Sequence, residues 1–252
     1  MHLDEVVQIL LASLKGNPLV KAVFLKGSIA RNEHDAFSDI DLYCLVEEQD
    51  VPAFLPQRLE HLKAYKELIF SDDIFIVAPQ ILGVYEDFIH IDLYTVTPKT
   101  LNQKDSIKKL YDPQDYLKGY EPSLHASPDQ FTDAVDDAIW FLYQYIQSSK
   151  RGNDLWCCHL LHLSFEHVGT ILLYHYCPDR AVLGLKAIES DLPKEKVEQM
   201  HNIMNQIGVN THNEAAKYIC HLLEQEKEWI LSEIEEPERI VELWKRVMQY
   251  IM

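Results

Sequence analysis

Asp39 and Asp41 stand two residues apart in Ser38-Asp39-Ile40-Asp41-Leu42. On an extended strand that spacing puts both carboxylates on one face and Ile40 on the other. Paired carboxylates repel, and without a partner one is driven towards protonation. A hard divalent cation removes the conflict. Oxygen ligands of this kind suit Mg²⁺, which keeps several waters and takes substrate phosphates as further ligands. Taken alone, the pair also fits two surface acids on a solvated edge strand. The preceding segment favours the metal: Gly27-Ser28 directly follows the apolar run Val20-Lys21-Ala22-Val23-Phe24-Leu25. Gly27 lets the backbone approach an anion closely, and Ser28 offers a hydroxyl and an amide. Arg31, one turn on, carries a planar fork that fits a phosphate. A third acid, Asp92, lies within the β-rich run Phe88 to Val96, where a lone charge is costly and wants a cation or a proton. A phosphate turn beside converging carboxylates describes a nucleoside-triphosphate site.

Such a site needs strands to hold it, and the first half of the chain supplies them. Val20–Leu25, Asp39–Val46, Ile74–Val77 and Phe88–Val96 have strand character, while Phe54 to Tyr65 has helical spacing. This order fits an α/β or α+β domain with a mixed sheet over residues 1–125, and α+β, a mixed sheet flanked by helices, is expected. Strand signals end near Ser127-Pro128, where Ser127 can cap a helix and Pro128 can occupy its first position. Apolar residues then recur at helical spacing through Phe131, Val135, Ile139, Leu142 and Ile146. A second long helix is expected from Asp154 to about Tyr176, ended by Cys177-Pro178, and two or three more between Pro193 and Met252. Residues 126–252 therefore read as an all-α helical bundle.

Composition limits the function classes. The chain has 252 residues, of which 47% are apolar, enough for a substantial core. Its net charge is −17, spread almost evenly over the two halves, so nucleic acid is an unlikely partner and a cationic small molecule a favoured one. No apolar run is long enough to span a membrane. The start Met1-His2-Leu3-Asp4-Glu5 lacks a basic leader, and a cytoplasmic location is expected. Five cysteines without a CxxC pair read as structural thiols.

In order, Gly27-Ser28, Ser38-Asp39-Ile40-Asp41-Leu42 and an isolated Asp92 on a later strand resemble the signature of the DNA polymerase β-like nucleotidyltransferase superfamily. The likeness covers roughly residues 20 to 96. More weakly, Asp112-Pro113 and the helix opening at Lys150-Arg151-Gly152-Asn153-Asp154-Leu155-Trp156 resemble aminoglycoside and lincosamide nucleotidyltransferases, which carry a helical C-terminal domain. The resemblance implies an enzyme that moves a nucleoside monophosphate, with AMP from ATP expected, to a small-molecule hydroxyl and releases pyrophosphate. Asp39, Asp41 and Asp92 match its metal-binding and catalytic carboxylates for one or two Mg²⁺ ions. Gly27 and Ser28 match its phosphate loop, with Arg31 and Ser38 beside them. The acceptor is expected between sheet and bundle, and a homodimer stays open.

Secondary candidates lie in the helical half. Glu166 could serve as a base, Trp156 and Tyr143 or Tyr145 could stack on a ring, and Arg151 could touch a phosphate; each also fits a structural role. Two rivals remain. One is a protein-adenylylating enzyme of toxin–antitoxin type, and the other a non-catalytic nucleotide-binding relative. An RxxxxH ribonuclease motif does not follow Arg151, since Trp156 stands where the histidine would.

Overall fold

A computed structural model describes residues 2–102 and 104–252. The chain divides into two compact units, Met1–Ser123 and Leu124–Met252. The first is α+β and the second helical, as the sequence pattern predicts.

The first unit is built on a six-stranded mixed sheet ordered β3-β4-β5-β2-β1-β6. Its strands are β1 (Val20–Leu25), β2 (Ile40–Val46), β3 (Leu68–Phe75), β4 (Pro79–Tyr85), β5 (His90–Val96) and β6 (Lys108–Tyr111). Only β2 and β5 run parallel; the other neighbours are antiparallel. Helix α1 (His2–Lys15) repeats apolar residues at Val6, Val7, Leu10 and Leu14, and that stripe is buried with Val23, Leu25, Ile40, Leu42 and Leu93. The opposite face buries Ala22, Phe24, Tyr43, Leu45 and Val96. Alternation along each strand thus serves two cores. A short helix, α2 (Gly27–Arg31), follows β1.

Several expected elements differ. The helical run Phe54 to Tyr65 is broken into α3 (Val51–Phe54), a 3₁₀ turn and α4 (Arg58–Leu62); Pro56, which lacks an amide hydrogen, lies at the break. Of the apolar run Ile74–Val77, Ile74 and Phe75 end the longer strand β3, whereas Ile76 and Val77 lie in the chain reversal after it, both more than half exposed. The hairpin strands around it, β3 and β4, escape pattern reading because Ser71-Asp72-Asp73 interrupts one and Pro79 and Gly83 punctuate the other. β6 is lysine-rich, as suits an edge strand.

The second unit comprises α5 (Pro128–Ser149), α6 (Asp154–Tyr176), α7 (Leu185–Asp191), α8 (Lys194–Gln206), α9 (His212–Glu233) and α10 (Glu238–Ile251). Ser127 caps α5 as its sequence predicts: its hydroxyl accepts from the Gln130 amide, the Gln130 side chain returns the bond, and Pro128 takes the first turn. Asn153 caps α6. The two helices pack along their length, and α6 buries residues on a broad face from Cys157 to Leu173. Among the described residues all five cysteines are free thiols, and no helix is long and apolar enough to cross a membrane.

One buried ionic network ties this unit together. Glu226, 5% exposed, accepts from Lys196 Nζ at 2.7 Å and Tyr176 Oη at 3.0 Å, and lies 2.8 Å from His175 Nδ1. Burial pushes its carboxyl up, but the bonds from Lys196, His175 and Tyr176 outweigh that and hold it below its ordinary value. With the folded pKa depressed, the network's contribution is present above the unfolded pKa of about 4.3 and is lost as pH falls through the folded value. Glu226→Ala leaves Lys196 buried without its counter-charge, and a loss of about 3–5 kcal/mol is expected. Urea titrations at pH 7 check this, and the gap between wild type and variant should narrow in acid.

Candidate functional site

The turn after β1 comes first. Gly27 has φ +65°, and a Cβ there would lie 2.1 Å from Asp41 Oδ2. No other L-residue fits without moving the aspartate or the turn. The Lys26 amide donates to the Asp41 carbonyl at 3.0 Å, which fastens the Gly27-Ser28 turn to β2. Asp41 therefore lies directly under the turn, and Ser28 sits beside it, half-buried.

The second feature is the β2–β5 pairing. Its register sets Ile40 against Ile91, Asp41 against Asp92 and Tyr43 against Tyr94. In-register parallel partners share a face, so Asp41 and Asp92 are neighbours on the same side of the sheet. One residue earlier on each strand, Asp39 precedes Ile40 as His90 precedes Ile91. Ligand atoms of Asp39, His90 and Asp92 all lie within 4.8 Å of one another, the one such group of His, Cys, Asp or Glu among the described residues. Asp92 is 7% exposed. Its Oδ1 and the His90 Nε2 are buried, stand 3.3 Å apart, and have no hydrogen-bond partner. Unsatisfied buried donors and acceptors are costly, and two converging on a third ligand fit a divalent cation. Tyr94, two residues on, is pushed up to about 12 by burial and then by the charges of Asp92, Asp41 and Asp39. The three aspartates of the sequence pattern thus share one pocket of field.

Around this centre the other predicted residues are already engaged. Arg31 donates through Nε to Glu33 at 2.7 Å and through Nη1 to Asp105. Its pKa is raised, because those bonds outweigh the burial that opposes charge. Two of its guanidinium nitrogens thus face carboxylates. Ser38 closes a turn with Asp35: its hydroxyl donates to Asp35 Oδ1 at 3.2 Å and accepts from the Asp35 amide at 3.0 Å.

Sequence reading missed two residues. His90 was visible as the residue two before Asp92, and the period of two could have flagged it. Lys26 was not, because a lysine next to a turn reads as solvated. It is 4% exposed, donates to the Asn102 carbonyl and side chain and to the Lys104 carbonyl at 2.9–3.0 Å, and lies over the Tyr43 ring. Burial pushes its pKa down to about 8, against the pull of Asp105 and Asp41. It ties Asn102 and Lys104 to the Gly27-Ser28 turn.

The helical-half candidates are described within their own unit. Tyr145 is buried, bonded to His212 and Asn213. Trp156 and Arg151 line a surface hollow of about 350 Å³ with Gln144 and Gln147. Glu166 is exposed at another, beside His167. Asp112 holds a turn in the first unit by accepting from the Tyr116 and Leu117 amides.

A search of curated proteins gave no match. Among solved structures the chain is similar to an aminoglycoside 6-adenyltransferase from Bacillus subtilis, at 12% identity and a TM-score of 0.38, over 96% of this chain and 97% of that one. That likeness is too distant to bear on chemistry. The family model described as nucleotidyltransferase domain matches residues 3–133, which is more than half of the chain and spans the turn, β2 and β5, and on that match the chain belongs to the nucleotidyltransferase-domain family.

Proposed function

We propose that this transferase moves a nucleoside monophosphate, AMP from ATP, to a hydroxyl of a small molecule, and that aminoglycoside- or lincosamide-like compounds are its acceptor class. The observation that carries the reading is the convergence of Asp39 and Asp92 beside Asp41 and the Gly27 turn. In this reading Asp39, Asp41 and Asp92 hold one or two Mg²⁺ ions, and Gly27 and Ser28 receive the triphosphate. A bound ion supplies neutralisation of the phosphate charge and a lower pKa for the attacking hydroxyl. Asp92, buried in an apolar strand, either completes the donor set or accepts the hydroxyl proton itself. Lys26 holds the neighbouring segment so that the turn keeps its shape. The charge of −17 favours a cationic acceptor. Residues 1–125 then form the catalytic domain and 126–252 the acceptor-side domain.

The test combines binding and turnover. ATP with Mg²⁺ should raise the unfolding midpoint by several degrees more than GTP, CTP or UTP, and ATP without Mg²⁺ should do little. Pyrophosphate should then appear when an acceptor panel that begins with aminoglycosides and lincosamides is supplied. No midpoint shift with any nucleotide, together with no pyrophosphate from the panel, would overturn the proposal.

A further inference from the structure

The imidazole among the carboxylates is the feature least expected of a site for a hard ion. Mg²⁺ takes oxygen ligands, whereas imidazole nitrogen suits later first-row divalent ions. Here a nitrogen and two carboxylates converge: ligand atoms of Asp39, His90 and Asp92 lie within 4.8 Å of one another. His90 Nε2 faces Asp92 Oδ1 at 3.3 Å, yet neither atom has a hydrogen-bond partner. A histidine that merely steadied Asp92 would direct an N–H at the carboxylate. These two buried atoms stand at ion-pair distance without hydrogen-bond geometry, and with a neutral imidazole each has a lone pair to give to a shared cation. The placement is fixed by backbone register, since His90 and Asp92 are alternate residues of β5 and Asp92 is paired with Asp41 of β2.

We infer that His90 Nε2 joins the carboxylates of Asp39, Asp41 and Asp92 as a ligand of the divalent cation, and that this nitrogen shifts the site's preference from Mg²⁺ towards Mn²⁺ and its later neighbours. The inference rests on the metal reading above and adds to it a nitrogen ligand and the identity of the favoured ion. Mixed nitrogen and oxygen donors gain affinity along the series from Mn²⁺ to Zn²⁺, while Mg²⁺ gains nothing from an imidazole.

Mn²⁺ is the probe, supplied with inorganic tripolyphosphate, which contains no nitrogen and occupies the phosphate turn without adding a nitrogen signal. Pulsed electron paramagnetic resonance of the bound Mn²⁺ should show ¹⁴N modulation in the wild-type protein, replaced by a ¹⁵N pattern when the histidines are ¹⁵N-labelled. His90→Gln should lose the modulation and weaken Mn²⁺ about 10–100-fold, with a smaller change for Mg²⁺. Asp39→Asn should abolish tight Mn²⁺ binding. Mn²⁺ bound in an Asp39-dependent manner without histidine ¹⁴N modulation overturns the His90 assignment and leaves the metal reading intact. No Mn²⁺ binding by the wild-type protein at millimolar concentration overturns both. The labelled wild-type spectrum decides the matter even if His90→Gln folds poorly.

Discussion

Asp92→Asn and Asp39→Asn are each expected to slow pyrophosphate release about a thousandfold, while the unliganded protein melts at the same temperature or higher. The two halves of that expectation have one cause. Asp92 is buried, its Oδ1 has no hydrogen-bond partner, and the field of Asp39 and Asp41 falls on the same side of the sheet. Like charges crowded in a poorly solvated place destabilise the fold that holds them. An amide of the same shape relieves the repulsion but removes the charge that would hold a cation. Loss of activity with unchanged or raised stability is the signature of residues placed for function. Steady-state pyrophosphate release and thermal melts without ligand measure both halves. Retention of more than about a tenth of the activity in either variant would remove that residue from the chemistry.

Gly27→Ala is the second large effect, and it separates backbone strain from site geometry. At φ +65° an L-residue costs about 1–2 kcal/mol, and the new methyl would also stand 2.1 Å from Asp41 Oδ2. The end of an aspartate side chain can swing away, so the clash should add little to the stability loss. Swinging it displaces a carboxylate of the site, and misplacement of about 1 Å can cost a hundredfold in rate. Gly152 supplies the control: it has φ +66° with nothing within 4 Å of a built Cβ. Gly152→Ala should lose a similar amount of stability and keep its activity. Equal activity in the two variants would show that the position of Asp41 beneath the turn does not matter.

Much of this was legible in the chain itself. The Gly-Ser turn after an apolar strand, the alternate aspartates and the capped helices of the second half are local patterns, and local sterics and periodicity write them directly into sequence. Elements whose signal was diluted were not legible. β3 carries Ser71-Asp72-Asp73 and lies at the sheet edge, almost wholly exposed, so burial imposes no alternation on it. The apolar residues Ile76 and Val77 looked like the continuation of a strand and instead form an exposed reversal after Phe75 ends β3.

What the sequence alone determined was the face each acid occupies, because a period of two fixes the side of a strand. Only the tertiary structure decided which strands meet. β5 lies beside β2 although a hairpin and two short helices separate them in the chain, and the parallel register sets Asp92 against Asp41. That pairing brought His90 to Asp39, the pairing of β1 with β2 set Asp41 under Gly27, and contacts with a later segment joined Arg31 to Asp105 and Lys26 to Asn102. The reason is physical: strand pairing is selected by the packing of whole faces and the closing of long loops, and no short window of sequence contains both partners.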